Sequence, residues 1–94
     1  MKEIKNVYKA EKGLIRVTKT LNNNKIARIV ITGDFFLYPE TSLLELENML
    51  TGIDDDEEEI KKTVHKFFND LKVQAPFVKE DDFVKAIVGK GNES

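Results

Sequence analysis

The sequence predicts an α+β fold: a three-stranded antiparallel sheet followed by three helices that pack on one of its faces, in the order βββααα. Three observations carry this expectation. Between positions 4 and 32 the apolar residues are largely β-branched and alternate with polar ones. From position 43 onward they recur at helical spacing. Turn formers separate these runs and no linker-like stretch divides the 94 residues, so one domain over 1–94 is expected.

The strands come first. Ile4 to Ala10 alternates with Ile4 and Tyr8 on one face, and Glu11-Lys12-Gly13 reads as a hairpin turn. Leu14 to Leu21 is strand-like, with Ile15, Val17 and Leu21 on one face. Asn22-Asn23-Asn24 tolerates left-handed backbone and turns the chain. Ile26 to Thr32 is nearly continuously apolar, which predicts the central or best-covered strand.

The helices follow. Thr41 or Ser42 is placed to cap a helix burying Leu43, Leu46, Met49, Leu50 and Ile53, with Glu45, Glu47 and Asn48 outward and Gly52 as its stop. A second helix carries Ile60, Val64, Phe67, Phe68 and Leu71 as one stripe. Pro76 breaks the chain, and Phe77 and Val78 lead to a third, short helix. Its acidic first turn, Glu80-Asp81-Asp82, suits the helix dipole. Phe83, Ile87 and Val88 form its buried side, Gly89 and Gly91 end it, and fraying is expected beyond.

Composition excludes several chemistries. Without cysteine there is no disulfide frame, thiol nucleophile, cysteine-ligated zinc or iron–sulfur site. No apolar stretch reaches the ~18 residues of a membrane span, and the first residues lack the apolar core of a signal peptide. A cytoplasmic protein is expected. The net charge of −2 is unevenly distributed: residues 1–38 hold eight Lys and Arg against three acids, while 39–94 hold seven against fourteen. Any sheet surface left open would therefore be basic, suited to an anionic ligand or an acidic partner, or simply placed to discourage edge-to-edge aggregation.

Few residues look like chemistry. The run Asp54 to Glu59 lacks the alternating ligand spacing and central glycine of a calcium loop, and reads as a solvated helix cap, so no metal site is expected. His65 has no second histidine or cysteine to make a ligand set, and no evident nucleophile. Lys12-Gly13 lacks the glycine spacing of a phosphate loop. The strands carry only Tyr8 as an aromatic, against an RNA-stacking sheet. The stretch Gly33-Asp34-Phe35-Phe36-Leu37-Tyr38-Pro39-Glu40 stands out instead. Its adjacent aromatics cannot all enter one small core, so at least one ring is expected at the rim as a contact anchor.

Three segments, Lys12-Gly13-Leu14-Ile15-Arg16-Val17, Ile29-Val30-Ile31-Thr32-Gly33-Asp34-Phe35-Phe36 and Leu44-Glu45-Leu46-Glu47-Asn48-Met49-Leu50-Thr51-Gly52, resemble the C-terminal, or accessory, domain of lipoate–protein ligases. The ending Phe77…Phe83-Val84-Lys85-Ala86-Ile87 is similar to that family's last helix, so the resemblance spans about residues 8–90. It rests on a strand–turn–helix signature and not on catalytic residues. In most bacterial ligases this unit is fused behind the catalytic domain; in several archaea it is a separate small subunit. A chain opening at Met1 fits the second arrangement, and an excised domain of a longer ligase fits the same residues.

The resemblance implies a non-catalytic accessory subunit that binds no cofactor alone. Lipoate, ATP and Mg would belong to the large catalytic subunit, its partner in a heterodimer, with lipoyl-domain acceptor proteins as indirect partners and no nucleic acid or membrane. It implies a chain needed to form lipoyl-AMP but dispensable for passing the lipoyl group to the acceptor lysine. On this reading Asp34, Phe35, Phe36 and Tyr38 lie at the interface with the large subunit, and Lys12 and Arg16 are lesser electrostatic contributors. A generic protein-interaction or RNA-binding module is the alternative, and an independent enzyme a third. The element order also resembles the fold of iron–sulfur scaffold proteins and their sulfur-transfer partners, whose chemistry needs cysteines absent here.

Overall fold

The computed structural model describes residues 1–76 and 78–89. The expectations on Phe77, Gly91 and the last residues lie outside that range. Three strands, β1 (Lys2–Ala10), β2 (Gly13–Asn22) and β3 (Lys25–Asp34), precede three helices, α1 (Ser42–Leu50), α2 (Glu57–Asp70) and α3 (Glu80–Val88). The fold is α+β, as the sequence predicts.

The strands form an antiparallel meander in the order β1-β2-β3. Ala10 pairs with Gly13 across the first turn, and Asn22 with Lys25 across the second. Asn23 and Asn24 both adopt positive φ, 53° and 63°, as a tight hairpin of this twist requires. The register shifts at Thr20/Leu21, whose partners are Arg28 and Ile26, so Ala27 is the extra residue of a bulge.

Here one expectation is corrected: β2 is the central strand and β3 lies at an edge. Ile26, Ile29 and Ile31 face the core, and the run reads as nearly continuous only because the bulge residue Ala27 and Val30 are apolar although exposed. The outer edge of β3 is covered from the helical half. Ile26 donates its N–H to the Ile53 carbonyl at 2.9 Å and accepts from Gly52 at 2.7 Å. Farther along, the Ile31 N–H donates to Glu47 Oε2 at 2.7 Å. Glu47 therefore does not face outward as its helical position predicts. It occupies a strand amide that would otherwise be an open pairing site.

The helices cover one sheet face. α1 lies against β3, α3 against β1 and β2, and α2 packs on α1 and α3. Ile15, Val17, Ile26, Ile31, Leu46, Leu50, Ile60, Val64, Phe67, Phe83 and Ile87 are all at most 2% exposed, and they make one core. Leu71 departs from the predicted stripe: it is exposed, because α2 ends at Asp70 and the chain turns away at Leu71 and at Lys72, whose φ is 51°. Thr41 does occupy the position before α1, but without a side-chain cap bond.

The acidic run is divided among three tasks instead of forming one solvated cap. Asp54 pairs with Lys25 at 2.8 Å on the surface, which holds the Lys25 ammonium above its ordinary pKa through that hydrogen bond. Asp55 pairs with Lys19, whose side chain is only 3% exposed. Asp56 accepts from the Glu59 N–H and caps α2. Lys19 shares the inward face with Val17 and Leu21, and it also donates to the Ile87 carbonyl at 2.7 Å, where Asn6 donates as well. This cluster ties the sheet, the loop before α2 and the end of α3 together.

Candidate functional site

The site is the segment by which β3 leaves the sheet for α1. At its start Gly33 has φ 151°, and a Cβ there would sit 1.9 Å from the Leu14 carbonyl oxygen. Gly13 is constrained from the other side, since a Cβ there would lie 2.8 Å from the Asp34 carbonyl oxygen and 3.1 Å from Val78. Two glycines thus let the first hairpin turn and the end of β3 approach closely. That contact brings Lys12 of the turn to the same end of the molecule as Asp34.

Beyond Gly33 the side chains alternate inward and outward, as extended backbone dictates. Phe35 is half-buried and meets Phe83 edge to face, ring centroids 5.1 Å apart at 86°. Phe83 in turn leans on Phe68 at 5.8 Å, and Phe68 on Phe67 at 5.2 Å. Leu37 is buried. Phe36 is 59% exposed and Tyr38 is 53% exposed. The strand-like period sets the two exposed rings on the same side of the segment, beside a shallow depression lined by Phe35 to Tyr38 and by Glu40.

The segment is held from its other side. Tyr38 and Gln74 exchange both backbone hydrogen bonds, at 2.9 and 3.0 Å, and the Ser42 N–H donates to the Pro39 carbonyl at 3.0 Å. The exposed rings therefore sit on a backbone fixed by β3, the α2–α3 loop and the start of α1. Large apolar side chains presented from a fixed backbone lose little freedom on binding, the condition for a contact anchor.

The sequence-predicted residues fall as follows. Asp34 is exposed and pairs in register with Leu14 at the end of β3. Phe35 anchors inward, while Phe36 and Tyr38 project outward. Lys12 is exposed at the neighbouring turn. Arg16 lies on the sheet face away from the helices, flanked by Val7 and Thr32, two pairs along from Leu14–Asp34. Sequence reasoning missed Leu37 as the buried pin, although the alternation of the segment signals it. It also missed the Gln74 clamp, for which no local signal exists.

Other titratable groups serve the fold. His65 is exposed on α2, with Nδ1 2.8 Å from Glu80 of α3 and Asn69 beside it, which links the two helices. Among the described residues no group of three or more His, Cys, Asp or Glu is placed to hold a metal ion. No described helix is long and apolar enough to cross a membrane.

The family model for the C-terminus of bacterial lipoate protein ligases matches residues 2–87. Lipoate-protein ligase A subunit 2 of Thermoplasma acidophilum is 45% identical over 80 residues, covering 85% of this chain and 82% of that protein. A chain of the solved archaeal lipoylation system of Thermoplasma acidophilum, a bi-partite lipoate protein ligase and its E2 lipoyl domain, superposes with a TM-score of 0.85. It is 42% identical, and the match covers 92% of this chain and 94% of that one.

Proposed function

The chain belongs to the lipoate protein ligase C-terminal family, and from that premise we propose that it is the accessory subunit of a two-part lipoate–protein ligase. It docks on a large catalytic subunit through the Phe36–Tyr38 side of its β3–α1 segment and enables that subunit to form lipoyl-AMP. The observation that carries this reading is the rigid outward presentation of Phe36 and Tyr38. Asp34, Lys12 and Arg16, from the same end of the sheet, act as lesser electrostatic contributors on this reading. Phe35 takes part from beneath, by fixing the backbone that carries Phe36.

The division of labour has a physical basis. Adenylation brings a carboxylate against a triphosphate, two anions that repel, so it needs charge neutralisation and close alignment. Its product is a mixed anhydride that water destroys, so a cover that excludes water favours it. Transfer needs the opposite, an open site that a bulky acceptor domain can reach. A separate subunit that closes for the first step and withdraws for the second meets both demands. Lipoate, ATP and Mg are held by the large subunit on this reading. The assembly works in the cytoplasm, where ATP and acceptor domains meet.

The test is lipoyl-AMP formation by the matching large subunit with and without this chain, beside transfer from pre-made lipoyl-AMP. Adenylation switched on by the chain, with transfer nearly unchanged, is the expected result. Equal adenylation by the large subunit alone overturns the proposal.

A further inference from the structure

The sheet face turned away from the helices carries a second surface. Along it run Lys5 and Lys9 of β1, Arg16 of β2 and Arg28 of β3, with Glu3 and Asp34 as its acids. All four cations are exposed, and none forms an ion pair among the described residues, whereas Lys19, Lys25, Lys62 and Lys85 each face a carboxylate. The register sets three of them around one hydroxyl. Lys5 pairs directly with Thr18, Arg16 stands two residues along the same strand, and Arg28 pairs with Thr20, the next residue on that face. Thr18 and Thr20 are short, so Lys5 and Glu3 on one side and Arg28 and Val30 on the other wall a trough of about 330 Å³. Its walls stand two strand spacings apart, roughly 10 Å, a gap that lysine and arginine side chains can close from both sides onto one extended anion.

The chemistry of this trough narrows its occupant. One carboxylate or one phosphate is satisfied by one cation and leaves the others unused. An anion with several charges along a short chain engages all three at once. Arg16 and Arg28 offer planar forks to phosphate oxygens, and the threonine hydroxyls donate between them. Nothing on this face reads a base: Tyr8, the only aromatic of the three strands, packs toward the core, so no ring faces outward for stacking. The amides of a central strand are spent in the ladders on both sides, so side chains alone hold the anion. Such a site binds weakly unless the anion is presented to it at high local concentration. Among the anions of the proposed adenylation, lipoate carries one carboxylate and lipoyl-AMP one phosphate. Only the triphosphate matches.

We propose that the trough between Lys5 and Arg28 is a polyphosphate subsite, which covers the triphosphate of ATP while the large subunit holds the nucleotide. This assignment rests on the ligase reading above for the source of the polyphosphate. It also gives a physical cause for a chain that serves adenylation and not transfer. Its cations offset the repulsion between carboxylate and triphosphate, and no triphosphate takes part in transfer.

The experiment titrates the full chain alone with tripolyphosphate, ATP and AMP, reading amide NMR shifts at Thr18 and Thr20. The same titrations are run on the double variant Lys5→Gln, Arg28→Gln, both positions being exposed, and on Lys61→Gln, Lys62→Gln of α2 as the charge-matched control. Arg16 is left in place because it also contributes to subunit docking on the reading above. Tripolyphosphate and ATP are expected to bind alike, at about millimolar strength, and AMP about tenfold more weakly. The double variant loses the shifts and the control keeps them. In the assembled ligase the double variant lowers adenylation kcat/KM for ATP about tenfold at low salt, a gap that narrows at high salt. Subunit capture and transfer from pre-made lipoyl-AMP stay unchanged. AMP binding as tightly as tripolyphosphate overturns the inference. So does a double variant with wild-type titration, or with wild-type adenylation in a ligase that needs the chain. Weakened subunit capture overturns it too and gives the face to the large subunit, while preference for a single-stranded RNA over tripolyphosphate gives it to nucleic acid. If the chain proves unnecessary for adenylation, the proposed function falls, and the tripolyphosphate titration on the chain alone still decides the subsite.

Discussion

Phe35 meets Phe83 edge to face at 5.1 Å, and this contact decides which of the two adjacent phenylalanines belongs to the core. With Phe35 tied to α3, the alternation of extended backbone sends Phe36 outward, where it is 59% exposed.

The two rings should therefore respond oppositely to truncation. Phe35→Ala is expected to cost about 2–3 kcal/mol of folding stability, the low end for a large core aromatic because the ring is half-buried. Phe36→Ala should cost less folding stability than Phe35→Ala while weakening capture by the large subunit by about 2 kcal/mol, roughly thirtyfold. Urea melts and a subunit titration separate the two. A Phe36→Ala chain that binds its partner at wild-type strength removes the anchor from the interface.

The Lys19–Asp55 pair makes a second, purely structural prediction. Lys19 is 3% exposed in its side chain and also satisfies the Ile87 carbonyl. Lys19→Met strands Asp55 and takes away one of the two donors on that carbonyl, and the expected cost is about 3 kcal/mol. The double change Lys19→Met, Asp55→Asn should be less damaging than the sum of the single changes, by about 1–2 kcal/mol. A double-mutant cycle in urea gives the coupling directly, and simple additivity would show that the pair is not an energetic unit.

Glycines distinguish space from backbone conformation. Gly52 has φ 97° with nothing within 4 Å of an added Cβ, so Gly52→Ala should cost only the left-handed backbone term, about 1 kcal/mol. At Gly33 the Cβ collides with backbone at 1.9 Å, so Gly33→Ala must separate β3 from β2 where the candidate site begins. Its expected cost exceeds about 3 kcal/mol, with loss of amide protection at Ile15 and Asp34. Hydrogen exchange of the two variants makes the comparison.

Glu47 protects the edge of β3, accepting the Ile31 amide at 2.7 Å. Glu47→Gln keeps an acceptor and should be nearly neutral. Glu47→Ala frees the amide and should cost about 1–2 kcal/mol and speed its exchange. The freed edge should also raise self-association, readable by light scattering.

The type and order of all six elements were legible in the residues, because alternation, helical spacing and turn formers are local signals. The family resemblance was legible for a related reason. Gly13 and Gly33 stand where the backbone comes too close for a Cβ, and Phe35 is tied to α3 by its contact with Phe83. Errors arose where the partner was distant in sequence. Glu47 reads as a solvent residue on its own helix, and only the placement of α1 beside β3 makes it an edge cap. Asp55 reads as one charge in a solvated run until Lys19 meets it from the sheet.

The sequence by itself therefore determined the α+β class, the strand and helix bounds to within a few residues, and the segment worth examining. Tertiary structure alone decided that β2 and not β3 is central, that Phe36 and Tyr38 project while Phe35 and Leu37 hold, and which sheet face the helices leave open. The physical reason is the range of the forces. Backbone preference and amphipathic period act over a few residues and are written locally. Burial and charge pairing are set by which surfaces meet, and that is settled only when the helices fold back on the sheet.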